Sequence, residues 1–220
     1  MIMNSKRLII SAFGLMMSLS GFSNQSKPAE VRGAKFIAEA SRAIKANDSY
    51  RINFTLEIEN PSLKNKDTSR GLLIISGNRY YMEAAGNVFV SDGTTTWAYF
   101  KDNNEVHIDL VANNPEDPTP TSILGDFEKK FRAKHIKQET HKGRRVEVID
   151  LLPKTAYIFH KVRIGMDSKT KMLVYTIAYD REGGSTRFEF DTLEANPTIS
   201  HDRFRFNPNS YPGIEVVDLR

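Results

Sequence analysis

The chain predicts a mainly β (α+β) fold, a strongly curved, incomplete antiparallel β-barrel of about ten or eleven strands covered by a lid of short helices. Three observations predict it. Alternating apolar and polar residues recur almost without a break from Tyr50 to Phe100 and again from Arg145 to Leu193. The connections between these runs are short and carry turn residues at Gly77, Ala85-Gly86, Asp92-Gly93 and Lys142-Gly143, which is meander order for antiparallel strands. Only two stretches have helical spacing, one before the strands and one in their middle. Twisted sheets of this size curl rather than stay flat, and two thin helices offer little to bury one.

Residues 1–23 are a different kind of sequence. Lys6 and Arg7 precede an apolar run, Leu8–Leu19, and Gly21 and Ser23 follow before Asn24. That order reads as a cleavable secretory signal peptide, and the run is short for a membrane span. The expected arrangement is therefore a signal peptide over 1–23 and a single domain over 24–220, exported to the periplasm. The chain has no cysteine, so no lipid can be attached to one. It carries 31 Lys+Arg against 27 Asp+Glu, and Lys6 and Arg7 fall in the signal, so the basic balance of the exported part is slight. Both signs are mixed along the chain, without the one-signed, aromatic-laced face that nucleic acid requires.

Asn24–Glu30 reads as a polar tail. Val31–Ala46 has Ala34, Ile37, Ala38 and Ile44 at helical spacing, a thin apolar face that suits a helix lying on a surface. Tyr50–Asn60 alternates cleanly, with Ile52, Phe54, Leu56 and Ile58 on one side. Strands follow at Gly71–Ser76, Asn78–Ala84, Asn87–Ser91, Thr94–Phe100 and Glu105–Val111. Asp92-Gly93 suits a two-residue type I′ hairpin turn, which would set Val88, Val90, Trp97 and Tyr99 on one face and Phe89, Thr96, Ala98 and Phe100 on the other. Ala112–Thr121 holds three prolines and reads as a loop. Ser122–Arg132 reads as a short helix with Ile123, Leu124, Phe127 and Phe131 on one side. Four more strands are expected at Arg145–Leu152, Tyr157–Met166, Lys171–Tyr179 and Thr186–Leu193, before a closing short strand or extended tail punctuated by Pro208 and Pro212.

Chemistry is sparse. The five histidines have no metal-binding spacing, and there is no GxSxG elbow, thiol nucleophile or phosphate-binding GxxxxGK[ST] loop. No catalytic, cofactor or metal site is expected, and an enzyme is not the reading. What stands out is apolar strand surface beyond what two helices can cover. Either it packs into a tight core, or it encloses a cavity for something apolar with the helices as lid.

The stretch VSDGTTTWAY (Val90–Tyr99) resembles the VSDGxTxWxY hairpin of the outer-membrane lipoprotein carrier protein (LolA) family. The order of its surroundings agrees, from the strand YRINFTLEIEN to LLPK (Leu151–Lys154) and the closing FRFNPNSYPGIEVVDL (Phe204–Leu219). The resemblance spans essentially the whole exported part. It implies an incomplete barrel whose cavity holds lipoprotein acyl chains, in a shuttle that receives lipoproteins from an inner-membrane ABC transporter. Delivery would be to an outer-membrane acceptor or to the outer membrane itself. It implies no cofactor, no nucleic acid and a monomer. The implied cavity wall is Ile52, Phe54, Leu56, Ile58, Val88, Val90, Trp97, Tyr99, Ile108, Val162, Ile164, Tyr175, Ile177, Phe188 and Phe190. The implied lid residues are Ile37, Ile44, Ile123, Leu124 and Phe127. The family's latch arginine at the end of the second strand falls at Ser76-Gly77 here, which leaves Arg79 and Tyr80 as candidates for a latch or a donor-docking rim. The same architecture would also suit a carrier of another amphiphile, such as a glycolipid or lipid-linked molecule, or a non-carrier scaffold or sensor with a filled core.

Overall fold

The computed structural model describes residues 26–62, 64–113, 130–155 and 159–220. Helix α1, Ser26–Lys45, comes first. Strands β1 Ser49–Asn60, β2 Asn65–Ser76, β3 Arg79–Ala84, β4 Asn87–Ser91, β5 Thr95–Phe100 and β6 Glu105–Leu110 follow as one meander. A second meander comprises β7 Phe131–His141, β8 Arg144–Pro153, β9 Lys161–Asp167, β10 Leu173–Tyr179 and β11 Ser185–Ala195. After 3-10 turns at His201–Phe204 and Pro208–Ser210, β12 spans Glu215–Asp218. All twelve strands form one sheet in the order β12-β6-β5-β4-β3-β2-β1-β11-β10-β9-β8-β7. The two meanders meet where β1 pairs with β11. β12 runs parallel to β6, alone among otherwise antiparallel pairs. The sheet stays open, with β7 and β12 at its edges.

Several boundaries differ from the sequence expectation. Helix α1 begins at Ser26, five residues before Val31, with Pro28 in the first turn where its missing N–H costs nothing. Gly33, Ile37 and Ala40 are its buried positions. A Cβ on Gly33 would lie 2.7 Å from the Ala133 carbonyl oxygen, so the helix backbone rests against β7 itself. Phe131 and Arg132, expected to end a helix, open β7 instead. In β7, Phe131 and Ala133 turn inward to pack against α1 while Arg132 and Lys134 turn out. Residues 122–129 of that expected helix, including Ile123, Leu124 and Phe127, lie outside the described residues, as do the proposed signal segment 1–23 and most of the proline-rich loop.

The Asp92-Gly93 turn is wider than a two-residue turn. Gly93 has φ +93°, but Asp92 does not share a positive φ, and the Asp92 carboxylate accepts from the N–H groups of Thr94 and Thr95 at 2.9 and 2.8 Å. Val88 pairs with Tyr99 and Val90 with Trp97, a shift of two residues from the type I′ register. A two-residue shift preserves which side chains share a face, so that grouping stands. The turns with two positive-φ central residues are Ala85-Gly86 and Lys142-Gly143.

Each face of the sheet has its own cover. On one face, α1 packs Ile37 and Ala40 against Ile149, Leu151, Ile164, Met166 and Leu173. On the other, the C-terminal segment lays Phe206 and Tyr211 over Val88, Val90, Tyr99 and Val106. The Tyr99 ring is 4.3 Å from that of Tyr211 and 5.8 Å from that of Phe206.

Candidate functional site: an apolar cavity beneath helix α1

On the α1 face a cavity of about 320 Å³ opens where the two meanders meet. Its wall comes from α1 (Ile44), β1 (Tyr50, Ile52), β2 (Leu73), β3 (Met82), the segments before β9 and β10 (Phe159, Met172), β10 (Leu173, Thr176) and β11 (Thr186, Phe188, Phe190, Leu193). Register puts these side chains on one surface. Ile52 pairs with Leu73 on one side and Leu193 on the other, and Thr176 pairs with Phe188. A bulge opposite Asn53/Phe54 absorbs one residue of β11, so that Phe190 and Leu193 both face inward despite their odd spacing.

The wall offers almost nothing polar. The Tyr50 hydroxyl donates to the Ile44 carbonyl at 2.8 Å and accepts from Asn47 Nδ2 at 3.0 Å, so its capacity is spent at the end of the helix. Thr176 and Thr186 supply the remaining hydroxyls. Such a surface selects for hydrocarbon. A second cavity, about 390 Å³, lies toward the other end of α1 against β7, but Glu30, Arg132 and Lys154 share its wall with Ala34 and Ile37. Its charged wall makes it the poorer host for an apolar guest in spite of its volume.

Helix α1 is fastened at a few points. Lys171 Nζ lies 3.2 Å from Glu39 Oε2 and 5.6 Å from the centre of the Phe36 ring. Phe36 stacks at 5.3 Å on His135. His135 in turn meets Glu147 at 2.7 Å, and Gln138 and Ser168 donate to the same carboxylate at 2.6 and 3.2 Å. Burial pushes the Glu147 carboxyl up, but the hydrogen bonds from His135, Gln138 and Ser168 outweigh it and hold the group below its ordinary 4.5.

The structure separates the sequence-predicted site residues into groups. Ile52, Phe188 and Phe190 line the cavity, and Ile44 covers it. Phe54 and Leu56 belong to the same cluster, with the Phe54 ring 5.3 Å from that of Phe188. Val162 and Ile164 share the face but are sealed beneath α1 with Ile37. Ile58 is exposed at the end of its strand. Tyr175 and Ile177 point to the opposite face, because a bulge between Leu173 and Tyr175 reverses the alternation and turns Leu173 and Thr176 inward. Val88, Val90, Trp97, Tyr99 and Ile108 are also on the opposite face. Met82 pairs with Phe89, so it is Phe89 and its neighbours that continue the cavity side. Arg79 does not reach α1. Its guanidinium lies 4.8 Å over the Phe204 ring on the far face and 3.4 Å from Ser76 Oγ. Tyr80 packs with the cavity-side cluster. Tyr50, Leu73, Met82, Phe159, Met172, Leu173, Thr176, Thr186 and Leu193 were missed. For Leu73 the signal was available, since the β1 and β2 alternations place it opposite Ile52.

The model of the family "Outer membrane lipoprotein carrier protein LolA" matches residues 46–207, most of the chain. This chain belongs to the LolA family. An outer-membrane lipoprotein carrier protein of Nitrosomonas europaea is 26% identical over 141 residues, covering 62% of this chain and 65% of that protein. An uncharacterized protein of Methanocaldococcus jannaschii is 25% identical over 214 residues, covering 94% of this chain and 59% of that protein. The chain thus spans about three fifths of the length of these curated relatives. The crystal structure of an uncharacterized conserved protein from Thermus thermophilus superposes with a TM-score of 0.55 at 9% identity, over 84% of this chain and 98% of that one. A LolA-like fold is that of a carrier and binding family rather than of an enzyme family. Among the described residues no helix is long and apolar enough to cross a membrane, and no three His, Cys, Asp or Glu side chains cluster as a metal site.

Proposed function

We propose that this LolA-family protein carries acyl chains through an aqueous compartment outside the cytoplasmic membrane, taking acylated lipoproteins from one membrane to another. In this reading residues 1–23 are a cleaved leader and 24–220 one carrier domain. An inner-membrane ABC transporter loads it, and an outer-membrane acceptor or the membrane itself unloads it. The observation that carries the reading is the cavity at the seam of the two meanders, walled by hydrocarbon and bordered by the end of α1 at Ile44. Three acyl chains of ordinary length resist transfer into water by about 30 kcal/mol at roughly 0.8 kcal/mol per CH₂. A carrier must present comparable apolar surface and still release the cargo. Ile44, at the end of α1, is a small apolar border that suits that demand.

The cavity volume also favours a second reading. At about 320 Å³ it sits at the low end of ligand pockets, roughly 300–1,000 Å³. A triacylated cargo therefore requires the cavity to widen, whereas a single-chain amphiphile needs less movement.

Native mass spectrometry of the protein isolated from its cell envelope tests both readings. A bound triacylated lipoprotein supports the first, and a smaller amphiphile supports the second. Thr176→Trp, which projects an indole into the cavity from β10, is expected to abolish uptake of an acyl probe while leaving the circular dichroism and urea midpoint near wild type. Unchanged uptake by a folded variant would remove the cavity from the function.

A further inference from the structure

Charge is distributed unevenly across the sheet. Strands β7 and β8 and their turn, 131–153, carry six cations (Arg132, Lys134, Lys137, Lys142, Arg144, Arg145) against three carboxylates, Glu139, Glu147 and Asp150. All six cations are exposed, whereas Glu147 and Asp150 are buried. Lys137 and Lys142 are engaged by Glu139 and Glu189 at 2.6 and 3.1 Å. Arg132, Lys134 and Arg145 have no ion-pair partner among the described residues, while Arg144 lies near the Asp167 carboxylate. Helix α1 rests on this edge through Gly33 and adds exposed Lys27, Arg32 and Lys35 against exposed Glu30, with Arg32 Nη2 3.9 Å from Glu147 Oε2. The far edge has the opposite sign: Glu105 and Asp109 on β6 and Glu215 and Asp218 on β12, with Asp92 and Asp102 in the adjoining turns, against Lys101 and Arg220.

The basic and acidic strands are the two opposite ends of the strand order, β7 at one and β12 with β6 at the other.

We propose that the β7–β8 edge, with the adjoining face of α1, is a docking surface for the phosphate headgroups of an anionic lipid bilayer. Two features favour a bilayer over a protein strand or a second copy of this chain. β7 is bulged between His135 and Lys137, which breaks the ladder a pairing strand would extend. Val31 on α1 and Ile136 at the bulge are 72% and 38% exposed beside the cations. Isolated apolar side chains amid Lys and Arg suit the headgroup region, where each cation contributes and a small apolar side chain can insert. The surface stands independently of what the cavity holds.

Co-sedimentation of the full chain, as the cell processes it, with phosphatidylcholine vesicles with and without phosphatidylglycerol tests the proposal. Binding is expected only to the anionic vesicles and is expected to fall as salt rises. Lys134→Gln/Arg145→Gln should weaken it about 25-fold, at about fivefold per cation. Lys64→Gln/Arg70→Gln, which removes the same charge from the β2 region, should leave it unchanged, and Thr176→Trp should bind vesicles as the wild type does. Equal binding to both vesicle types, no binding at low salt, or equal weakening by the two charge pairs would overturn the proposal. So would a patch variant that changes only self-association in sedimentation velocity, which would make the edge a contact between copies.

Discussion

Gly71 lies opposite Phe54 across the β1–β2 pair, and a Cβ there would stand 2.3 Å from the Phe54 ring. Phe54 is itself buried against Phe188, behind the cavity wall. Gly71→Ala is thus expected to destabilise the protein by about 1–3 kcal/mol through overpacking, more than any gain from a stiffer unfolded chain. A lower urea midpoint with unchanged slope would show it. Single residues also mark where the sequence was legible. Ile52, Phe188 and Phe190 were placed by simple alternation, which their strands obey. Tyr175 and Ile177 were not, because the bulge before Tyr175 leaves no trace in composition. Val88, Val90, Trp97 and Tyr99 were grouped correctly, yet their face depends on the parity carried from β2 through β3 to β4. The greasier set went to the C-terminal segment, and the mixed set to the cavity side.

At the scale of elements, α1 is held on the sheet by packing and a few polar ties rather than by a hydrogen-bonded ladder. Its alanine-rich stripe was readable, although its first turn, Ser26–Glu30, has no periodicity to announce it. The polar half of β2 and all of β7 were overlooked for a related reason. Neither has a run of large apolar residues, and both are strands because a neighbour supplies the ladder. Glu39–Lys171 and the Tyr50 hydroxyl fasten the α1 roof near its middle and at its end. Lys171→Ala combined with Tyr50→Phe is expected to speed amide exchange in α1, at Ile37 and Ala40, about tenfold or more, the lost hydrogen bonds and ion pair each contributing on the order of 1 kcal/mol. Amides of β8–β11 should keep their wild-type protection. If the α1 amides exchanged only with the whole sheet, the helix would be no lid.

For the whole molecule, acid is the condition that presses on these contacts. Burial raises Glu189, but hydrogen bonds from His141, Arg187 and Lys142 outweigh it and leave the group below its ordinary 4.5. A hydrogen bond from Lys137 does the same for Glu139, and Glu147 follows the pattern already described. Lowered carboxyls favour the folded state in their charged form. Their contribution is complete above about pH 4.5 and disappears as pH falls through the depressed folded values. The urea midpoint is expected to vary little from these groups between pH 7 and 5 and to drop below pH 4.5. Glu147→Gln should start lower at neutral pH and lose less on acidification. A parallel fall in both proteins would show that Glu147 has no part in the acid limb. The seam of the sheet has a further consequence, in time. Within each meander the strands pair with near neighbours in sequence, but β1 meets β11 across almost the whole chain, Tyr50 opposite Ala195. Closing so long a loop is slow compared with forming hairpins, so the two halves have every opportunity to form before they join. The cavity draws Ile52 and Leu73 from one half and Phe188 and Phe190 from the other. A chain paused with its halves apart has no place to put a ligand, and competence arrives only once β1 has met β11.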